Sequence, residues 1–396
     1  MEAVTSPTSW AARLHCTRTD ETAPLDRPAT TSPAGAPWRV DYEIDPARGP
    51  AWRDALAARE WSMWRYRELL PPVEEAARID LGEGATPLVR LRRYFAGDFE
   101  AWVKQEAGNP TGSFKDRGLS LAVNRARDLG LPGVQLASAG NAALALAAYA
   151  AAAGLGARVA LPADTPATIA ARCRDYGAEV LTSPGTLVDA AGRLAELADG
   201  YFNLSTFREP YRVEGKKTMG LEVAEQLGWR LPDWIVYPTG GGTGIVAMAK
   251  AFDELERLGL ADARRPRFVV VQMAGCAPLV RAFERGLDAA PPWEDARTRV
   301  WGLRVPRSLA DFLILQVLRE TRGLAVAVDE DRVADACRRA ARFEGLLCGP
   351  EGGACLLAVE ELARRGEVRA GERVVVFQTG HPANYAESAA SHVTPS

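Results

Sequence analysis

The stretch VQLASAGNAALALAAYAAAA, residues 134–153, decides the fold class. Its first four residues, Val134 to Ala137, have strand character, and after a short polar turn an alanine-rich helix is predicted over Ala142 to Ala153. A strand followed at once by a helix is half of a βαβ unit, in which the helix carries the chain back across the sheet.

The same alternation of strand and helix extends both ways along the chain. Three further strands are each followed by a predicted helix: Arg158 to Leu161 by Pro166 to Tyr176, Glu179 to Thr182 by Leu187 to Leu197, and Trp234 to Tyr237 by Ile245 to Leu258. Another strand is predicted at Phe268 to Gln272. The last strand, Arg373 to Gln378, comes after a helix that follows Gly353. Repeated alternation implies parallel sheets covered on both faces, with ligands bound at the carboxyl ends of the strands. The sequence therefore predicts an α/β protein with open, twisted, largely parallel sheets.

Size and charge limit the domain count and the class of partner. The chain has 396 residues, of which 47% are hydrophobic and 25% charged, and this exceeds the usual size of one domain, so two lobes are expected. A formal net charge of -3 gives no electrostatic reason to bind nucleic acid or an anionic membrane. We expect the partner to be a small molecule.

Histidine and cysteine usage argues against a metal site. The chain has three histidines and six cysteines, and no two cysteines have CxxC spacing. This pattern disfavours a site of several imidazoles and a His-centred triad, and it favours reduced thiols over a disulfide framework. We predict no metal, and another group must supply the catalytic base.

Segments that would direct the chain to a membrane are not predicted. No run of about 18 apolar residues occurs, and the first 25 residues contain Glu2, Asp20 and Glu21. We expect a cytoplasmic protein without a membrane span.

Lys115 lies in the segment GNPTGSFKDRG, residues 108–118. The part before Phe114 is rich in turn-forming residues, and the part after it enters a predicted helix. A lysine on a solvated helix face is ordinarily a surface charge, because burial of an amine is costly. At a loop-to-helix junction with these neighbours, Lys115 is a candidate for chemistry instead.

A second segment, PTGGGTG at residues 238–244, follows a predicted strand and opens a predicted helix. Its glycines and Thr243 can present backbone amides and a helix N-terminus to a phosphate group. A plain tight turn is the alternative. A dinucleotide site is disfavoured, because the glycine spacing is not GxGxxG and no acidic partner falls on an obvious second strand.

Six ordered segments resemble those of threonine synthase, within the tryptophan-synthase-β-like group of pyridoxal-phosphate (PLP) enzymes. They are LGEGATPL (81–88), GNPTGSFKDRG (108–118), SAGN (138–141), YRVEGKKT (211–218), PTGGGTG (238–244) and QTGH (378–381). The resemblance runs from about residue 60 to 385 and implies a fold type II PLP enzyme, a homodimer, with the cofactor in an interdomain cleft. It implies a large cofactor-binding domain of residues 38–125 and 206–390 and a small, mobile domain of residues 126–205.

The resemblance also implies a role for each site residue. Lys115 would hold PLP as a Schiff base and then act as the base that removes the α-proton. The other cofactor-binding residues would be Phe114, Asn141, Gly240, Gly241, Gly242, Thr243, Gly244 and Thr379. The substrate-binding residues would be Ser138, Ala139, Gly140 and Arg212. For Asn141 a plain helix N-cap, for Phe114 a core aromatic and for Arg212 a surface charge are the alternative interpretations.

Thr379 has a chemical consequence if it meets the pyridine nitrogen, as the resemblance implies. A hydroxyl does not hold that nitrogen protonated as an aspartate would, so a fully delocalised carbanion is less favoured. Elimination and replacement at the side chain of an amino acid suit such a site.

Two departures from the threonine synthase pattern leave the substrate open. Ala142 stands where the family tends to have a hydroxyl residue, and Thr206 and Phe207 stand where it tends to have an Asn-Ser pair. Arg212 favours conversion of O-phosphohomoserine to threonine and phosphate, because a guanidinium can grip phosphate through two hydrogen bonds. The departures favour a serine/threonine dehydratase or a β-replacing synthase, with a place in secondary metabolism. A catalytically silent PLP-binding protein is a third alternative, which the intact site residues count against.

The N-terminus resembles the remnant of a small zinc ribbon found in some threonine-synthase-like proteins. The similarity rests on LHC (14–16) and WRVDY (38–42), but threonine or alanine replaces the other cysteines and Cys16 stands alone. One thiolate cannot make a tetrahedral zinc site. Because residues 27–37 also carry several helix and strand breakers, we predict that residues 1–37 form a poorly ordered extension.

Overall fold

The strands of the chain form three β-sheets in the computed structural model, which describes residues 9–138, 140–185, 187–197, 200–262 and 264–385. The strands are β1 (Ala11–Cys16), β2 (Thr22–Ala23), β3 (Trp38–Tyr42), β4 (Leu88–Leu91), β5 (Glu100–Gln105), β6 (Gly133–Ala137), β7 (Gly156–Pro162), β8 (Glu179–Ser183), β9 (Phe202–Asn203), β10 (Trp234–Pro238), β11 (Arg267–Met273), β12 (Leu324–Val328) and β13 (Arg373–Gln378).

Eleven α-helices lie between or beside these strands within the described residues. They are α1 (Gly49–Leu56), α2 (Lys115–Asp128), α3 (Asn141–Ala153), α4 (Ala167–Asp175), α5 (Leu187–Ala195), α6 (Tyr211–Gln226), α7 (Thr243–Arg257), α8 (Pro278–Glu284), α9 (Asp311–Glu320), α10 (Val333–Glu344) and α11 (Pro350–Arg364). Short 3-10 helices occur at Pro46–Arg48, Met63–Leu69, Glu75–Ala77, Glu106–Gly108, Trp301–Leu303, Glu330–Arg332 and Pro382–Tyr385.

The largest sheet has six strands in the order β12-β11-β10-β13-β5-β4. Its strands run parallel except for β4, which pairs antiparallel with β5 at one edge. The middle of the sheet is nearly all apolar: Val374 to Phe377 of β13 are buried, as expected when helices cover both faces.

The second sheet has four parallel strands in the order β8-β7-β6-β9, and all of them come from residues 133–203. The stretch at residues 134–153 forms β6 and α3 as predicted, and α3 packs on β6 and β7. The alanine run lets α3 be buried over most of its length, since small side chains allow close approach to the sheet. The predicted α/β fold with largely parallel sheets is confirmed. The division into the two predicted domains stays a prediction, although each of the two larger sheets draws its strands from one of them.

The N-terminal extension is more ordered than its sequence predicted. Within residues 1–37, which were expected to be poorly ordered, β1 and β2 form a three-stranded antiparallel sheet together with β3; residues 1–8 lie outside the described part of the chain. The reason is that alternate residues of β1 and of β3 are apolar, and alternate residues share one face of a strand. The breakers at residues 27–37, which lie between these two strands, obscured that pattern. The alternate residues of both strands pack into a small apolar cluster: Leu14, Cys16, Trp38, Val40 and Tyr42.

Residues 51–70 do not form one continuous helix. They contain the end of α1 and the 3-10 helix Met63–Leu69, within which Tyr66 departs from helical geometry. Trp64 and Tyr66 of this segment are buried. Of the helices in the described ranges, none is both long and apolar enough to cross a membrane.

Candidate active site

A cavity of about 370 Å³ lies where the two larger sheets face each other. The loops that follow β6, β10 and β13 all reach it, which places it at the carboxyl ends of parallel strands. Of the predicted site residues, those that line the cavity are Phe114, Lys115, Ser138, Gly140, Asn141, Gly240, Gly241, Gly242, Thr243, Gly244 and Thr379. Ala139 lies outside the described residues.

Lys115 is the first residue of α2 and lines the cavity beside Phe114. Its Nζ atom lies 4.4 Å from the centre of the Phe114 ring. Burial lowers the pKa of Lys115 to about 7; the nearby charge of Arg212 lowers this pKa as well, whereas Glu351 raises it. A large share of this amine is therefore unprotonated near neutral pH, as a nucleophile or a base requires.

The loop that carries Lys115 is bound to the end of β13. The Phe114 amide donates to the carbonyl oxygen of Thr379 at 3.1 Å, and the His381 amide donates to the carbonyl oxygen of Gly112 at 2.7 Å. Thr379 itself is 4% exposed and faces the cavity. The lysine and the threonine hydroxyl are thus held in one rigid unit.

The glycine loop passes too close to its neighbours to carry side chains. A Cβ atom on Gly242 would lie 2.0 Å from Ile314 Cδ1, and one on Gly240 would lie 2.4 Å from the carbonyl oxygen of Gly302. Gly242 also has φ of +82°, which an L side chain strains. Because α7 begins at Thr243, the free amides of its first turn lie at the cavity wall, as a phosphate site requires.

A buried lysine, Lys216, lies behind this loop. Lys216 is fully buried, and its Nζ atom donates to Thr243 Oγ1 at 2.7 Å. Burial lowers the pKa of Lys216 well below its usual value, and the charges of Arg212 and Lys115 lower it further. Lys216 belongs to the YRVEGKKT segment, but sequence reasoning gave it no role. The sequence does contain a signal, the adjacent lysines Lys216 and Lys217 on one helix. Lys217 is paired with Glu214 at 2.8 Å, so Lys216 is the one of the two that the site can use.

Arg212 is 1% exposed and is not part of the cavity wall. One terminal nitrogen donates to the carbonyl oxygen of Leu204, while its Nε and Nη2 atoms have no hydrogen-bond partner among the described residues. The surface alternative is therefore wrong. A buried guanidinium with two free donors is arranged to meet an anion, since an unpaired buried charge is costly.

The three residues that depart from the threonine synthase pattern differ in where they lie. Ala142 and Thr206 line the cavity, but Phe207 is buried in a small apolar cluster with Val213 and Ala247. Phe207 has φ of +61°, a left-handed conformation that is strained for an aromatic residue. Its ring is thus turned out of the cavity.

Asn141 is held by residues from the C-terminal end of the chain. Its Nδ2 atom donates to the hydroxyl oxygen of Tyr385 at 2.8 Å, and its Oδ1 atom accepts from Asn384 Nδ2 at 2.9 Å. The N-cap alternative is wrong, because α3 begins at Asn141 itself and Gly140 occupies the cap position. These two bonds fix the orientation of the Asn141 amide. Its Nδ2 atom has a second N–H besides the one that it donates to Tyr385.

Glu351, near the start of α11, is a functional candidate that sequence reasoning missed. It lines the cavity and is buried, and its Oε1 atom accepts from the Tyr385 hydroxyl at 2.7 Å. Its Oε2 atom has no hydrogen-bond partner among the described residues. Burial raises the pKa of Glu351, although the hydrogen bond from Tyr385 and the charge of Lys115 oppose this shift. No motif marks it; only the fold brings residues 351 and 385 to Lys115.

A metal centre is not formed by the part of the chain that the structure describes. Within those ranges, no three side chains of histidine, cysteine, aspartate or glutamate cluster as metal ligands. The cavity contains a buried lysine with a lowered pKa and a glycine loop that suits a phosphate group. These features are typical of an α/β enzyme that binds a phosphorylated ligand.

Comparison with known proteins identifies that class. The family model described as pyridoxal-phosphate dependent enzyme matches residues 79–380. The chain is 32% identical over 370 residues to the threonine synthase of Methanocaldococcus jannaschii, covering 92% of this chain and 91% of that protein. It is 36% identical over 325 residues to the threonine synthase of Methanosarcina acetivorans, covering 81% and 79%.

Solved structures with the same fold include a threonine deaminase from T.th., with a TM-score of 0.61, 26% identity and coverage of 75% of this chain and 92% of that chain. An O-ureido-L-serine synthase has a TM-score of 0.63 at 24% identity, covering 78% and 94%, which speaks for the fold alone. The chain belongs to the family of pyridoxal-phosphate dependent enzymes and is a fold type II, PLP-dependent lyase with threonine synthase homologues. The predicted family, enzyme class and cofactor are confirmed.

Proposed function

We propose that this enzyme is a lyase or synthase of threonine synthase type, which carries out elimination and replacement on a β- or γ-substituted amino acid. The reaction implied by its relatives is conversion of O-phosphohomoserine to threonine and phosphate. The observation that carries the proposal is one cavity that holds Lys115, Asn141, the glycine loop and Thr379 together. That it acts as a cytoplasmic homodimer remains a prediction from the sequence.

The residues of the cavity fit pyridoxal phosphate. The glycine-rich loop at Gly240 to Gly244 and the first turn of α7 suit the phosphate group, and Lys216 adds a hydrogen-bond donor behind Thr243. Asn141 would donate to the ring oxygen and Thr379 would meet the ring nitrogen, while Phe114 lies at the wall beside Lys115. When bound, the cofactor supplies an electron sink for the electron pair left at the α-carbon of the substrate.

The side chains supply the proton transfers and the orientation. Lys115 would hold the cofactor covalently through Nζ and, once displaced by the substrate amine, remove the α-proton, for which a pKa of about 7 suits it. Ser138 and Gly140, which line the cavity just before α3, would bind the substrate carboxylate. Arg212, with two free donors, would compensate the negative charge of the bound ligands.

A serine/threonine dehydratase or β-replacing synthase is the second candidate. It is favoured by the wall of the cavity at Ala142, which offers no hydroxyl to a substrate phosphate, and by Phe207, which is turned into an apolar cluster. Arg212 lies outside the cavity wall and so contributes less to a phosphate at the far end of a substrate.

The test is a substrate panel on the purified protein loaded with PLP. O-phosphohomoserine, threonine, serine, O-phosphoserine and O-acetylserine are each incubated with the enzyme, and phosphate, ketoacid and amino-acid products are measured. Threonine and phosphate from O-phosphohomoserine are expected; ketoacid alone would move the assignment to the second candidate.

Lys115→Ala is the matched control for that panel. It should lose the absorbance band near ~410 nm that covalently held PLP gives, and turnover should fall below detection. A wild-type protein that stays colourless after addition of PLP would refute the proposal.

A further inference from the structure

The carboxylic acid of Glu351 is the feature of the cavity that the proposed function leaves unused. Among the described residues that line the cavity, Glu351 is the one carboxylic acid. Its Oε1 atom is anchored by Tyr385, and its buried Oε2 atom accepts no hydrogen bond from the part of the chain that the structure describes. A buried carboxyl oxygen without a hydrogen bond costs free energy unless a ligand completes it, so the free oxygen points to a group of the substrate.

We propose that Glu351 is a second catalytic residue, which transfers the proton of a hydroxyl group at Cβ of the substrate while Lys115 handles the proton at Cα. The inference rests on the proposed function and narrows it. It assigns the enzyme to substrates or products that carry a hydroxyl at Cβ, so that water is lost or added there.

The need for such a residue follows from the chemistry of the leaving group. Hydroxide is a strong base and leaves readily only when it takes up a proton as its bond to carbon breaks. Phosphate and chloride leave as weak bases without that proton. Burial raises the pKa of Glu351, which keeps a proton on the carboxyl group closer to neutral pH.

The proton balance closes within the cavity. When water is lost, Lys115 takes the α-proton, and the electron pair of that C–H bond becomes the second bond between Cα and Cβ. The Cβ–O bond breaks, its electron pair stays on oxygen, and Glu351 gives that oxygen its proton to release water. The Lys115 ammonium then returns a proton to the Glu351 carboxylate. The two charges attract each other, since Glu351 raises the pKa of Lys115 and Lys115 lowers the pKa of Glu351. In the opposite direction Glu351 takes a proton from water as it adds to Cβ.

Tyr237 is the rival for this role, because its buried hydroxyl also lines the cavity and has no hydrogen-bond partner among the described residues. Burial raises the pKa of Tyr237 well above its usual value, with the charge of Glu106 adding to the shift. A group that holds its proton so tightly is a poor donor at neutral pH, so the carboxylic acid is favoured.

The test compares the PLP-loaded wild type with Glu351→Gln and Glu351→Asp. With serine or threonine, dehydration by Glu351→Gln should fall at least ~100-fold, whereas chloride elimination from β-chloroalanine should change less than about threefold. Exchange of the substrate α-hydrogen in D2O, followed by NMR, should persist, because it reports the step at Lys115. Glu351→Asp should recover part of the dehydration, and Glu361→Gln, which changes a partly exposed acid on the same helix, should behave as wild type.

If the wild type converts O-phosphohomoserine, the same variant has a second readout. Glu351→Gln should still release phosphate but form less threonine per phosphate released, because water addition is impaired. Parallel loss of all these rates, no loss of any, or a selective loss in Tyr237→Phe instead would each overturn the assignment to Glu351. A wild type that turns over none of these substrates would refute the proposed function itself, and the inference with it.

Discussion

Lys115 and Arg117 are two residues apart at the start of α2, and the two groups of buried charges around them differ in how completely they are paired. The scaffold cluster consists of Lys104, Glu106, Arg117 and Glu222. There Arg117 bonds Glu106 at 2.7 Å and Glu222 at 2.6 Å, and Lys104 bonds Glu222 at 2.7 Å. Each of these charges is compensated, and none faces the cavity.

The site cluster consists of Lys115, Arg212, Lys216 and Glu351. None of its members forms an ion pair with another, and both Arg212 and Glu351 keep polar atoms without a partner among the described residues. Burial lowers the pKa of Lys216 and raises that of Glu351, each toward the neutral form. Incomplete pairing thus separates the residues that await a ligand from those that hold the fold, although the segment of residues 108–118 contributes Lys115 to one cluster and Arg117 to the other.

The largest expected effect comes from breaking the scaffold cluster. Arg117→Met should lower the free energy of unfolding by about 3–5 kcal/mol, because it leaves the buried Glu106 without an ion-pair partner and the buried Glu222 with Lys104 alone. Chemical denaturation followed by circular dichroism measures this loss. Arg90→Met, which removes an exposed pair with Glu100, is the control and should cost less than ~1 kcal/mol. Equal losses in the two variants would contradict the comparison.

The next largest effect is expected in the site cluster, in how the rate of PLP capture depends on pH. Capture of added PLP by the apoprotein needs the unprotonated amine of Lys115, whose pKa is about 7. The capture rate should therefore be half-maximal near that pH and fall about tenfold per pH unit below it. Stopped-flow absorbance measures the rate.

In Arg212→Met the half-point of capture should move to higher pH, since removal of a neighbouring cation raises the pKa of Lys115. Arg208→Met is the control, because that exposed side chain lines the mouth of the cavity without contributing to the shift. A half-point near the pKa of an ordinary lysine in the wild type would contradict the assignment of Lys115 to a desolvated site.

The smallest effect is expected at a pair that belongs to neither cluster. Arg304 and Asp164 bridge the loops on the two sides of the cavity at 2.8 Å, but both side chains are partly exposed. Asp164→Asn should change the free energy of unfolding by less than ~1 kcal/mol. A thermal melt beside Asp335→Asn, which removes the surface pairs of Asp335 with Arg338 and Arg339 on α10, tests this. A clearly larger loss in Asp164→Asn would show that the pair holds the two sides together.

Local pattern was enough to predict six of the ten strands that build the two larger sheets: β6, β7, β8, β10, β11 and β13. It did not predict β4, β5, β9 and β12. The predicted strand Arg373 to Gln378 coincides with β13, because a buried parallel strand is an unbroken apolar run that few other structures resemble. The N-terminal sheet was missed, because β2 is two residues long and breakers separate β1 from β3. Short strands of that kind depend on tertiary packing more than on their own sequence.

The site was predictable wherever a motif carried it. Lys115, the glycine loop and Thr379 line the cavity as the resemblance implied. Glu351 and Tyr385 were missed, because each is an ordinary residue in an ordinary segment and gains meaning only from a hydrogen bond between them. Pairing across the fold, which distinguishes the two charge clusters, is likewise invisible in a single sequence.

The bonds between the lysine loop and the end of the chain bear on how the enzyme is made. Asn384 Nδ2 donates to the carbonyl oxygen of Thr111 at 3.1 Å, between residues that are 273 positions apart. A ribosome releases the N-terminal part first, at roughly 5–20 residues per second, so the loop emerges well before the segment that braces it. The nascent chain can form its first helices and strands early, but the closure of so long a loop comes last. We therefore expect the loop that carries Lys115 to gain this brace only after residue 384 has been made, late in the synthesis of the chain.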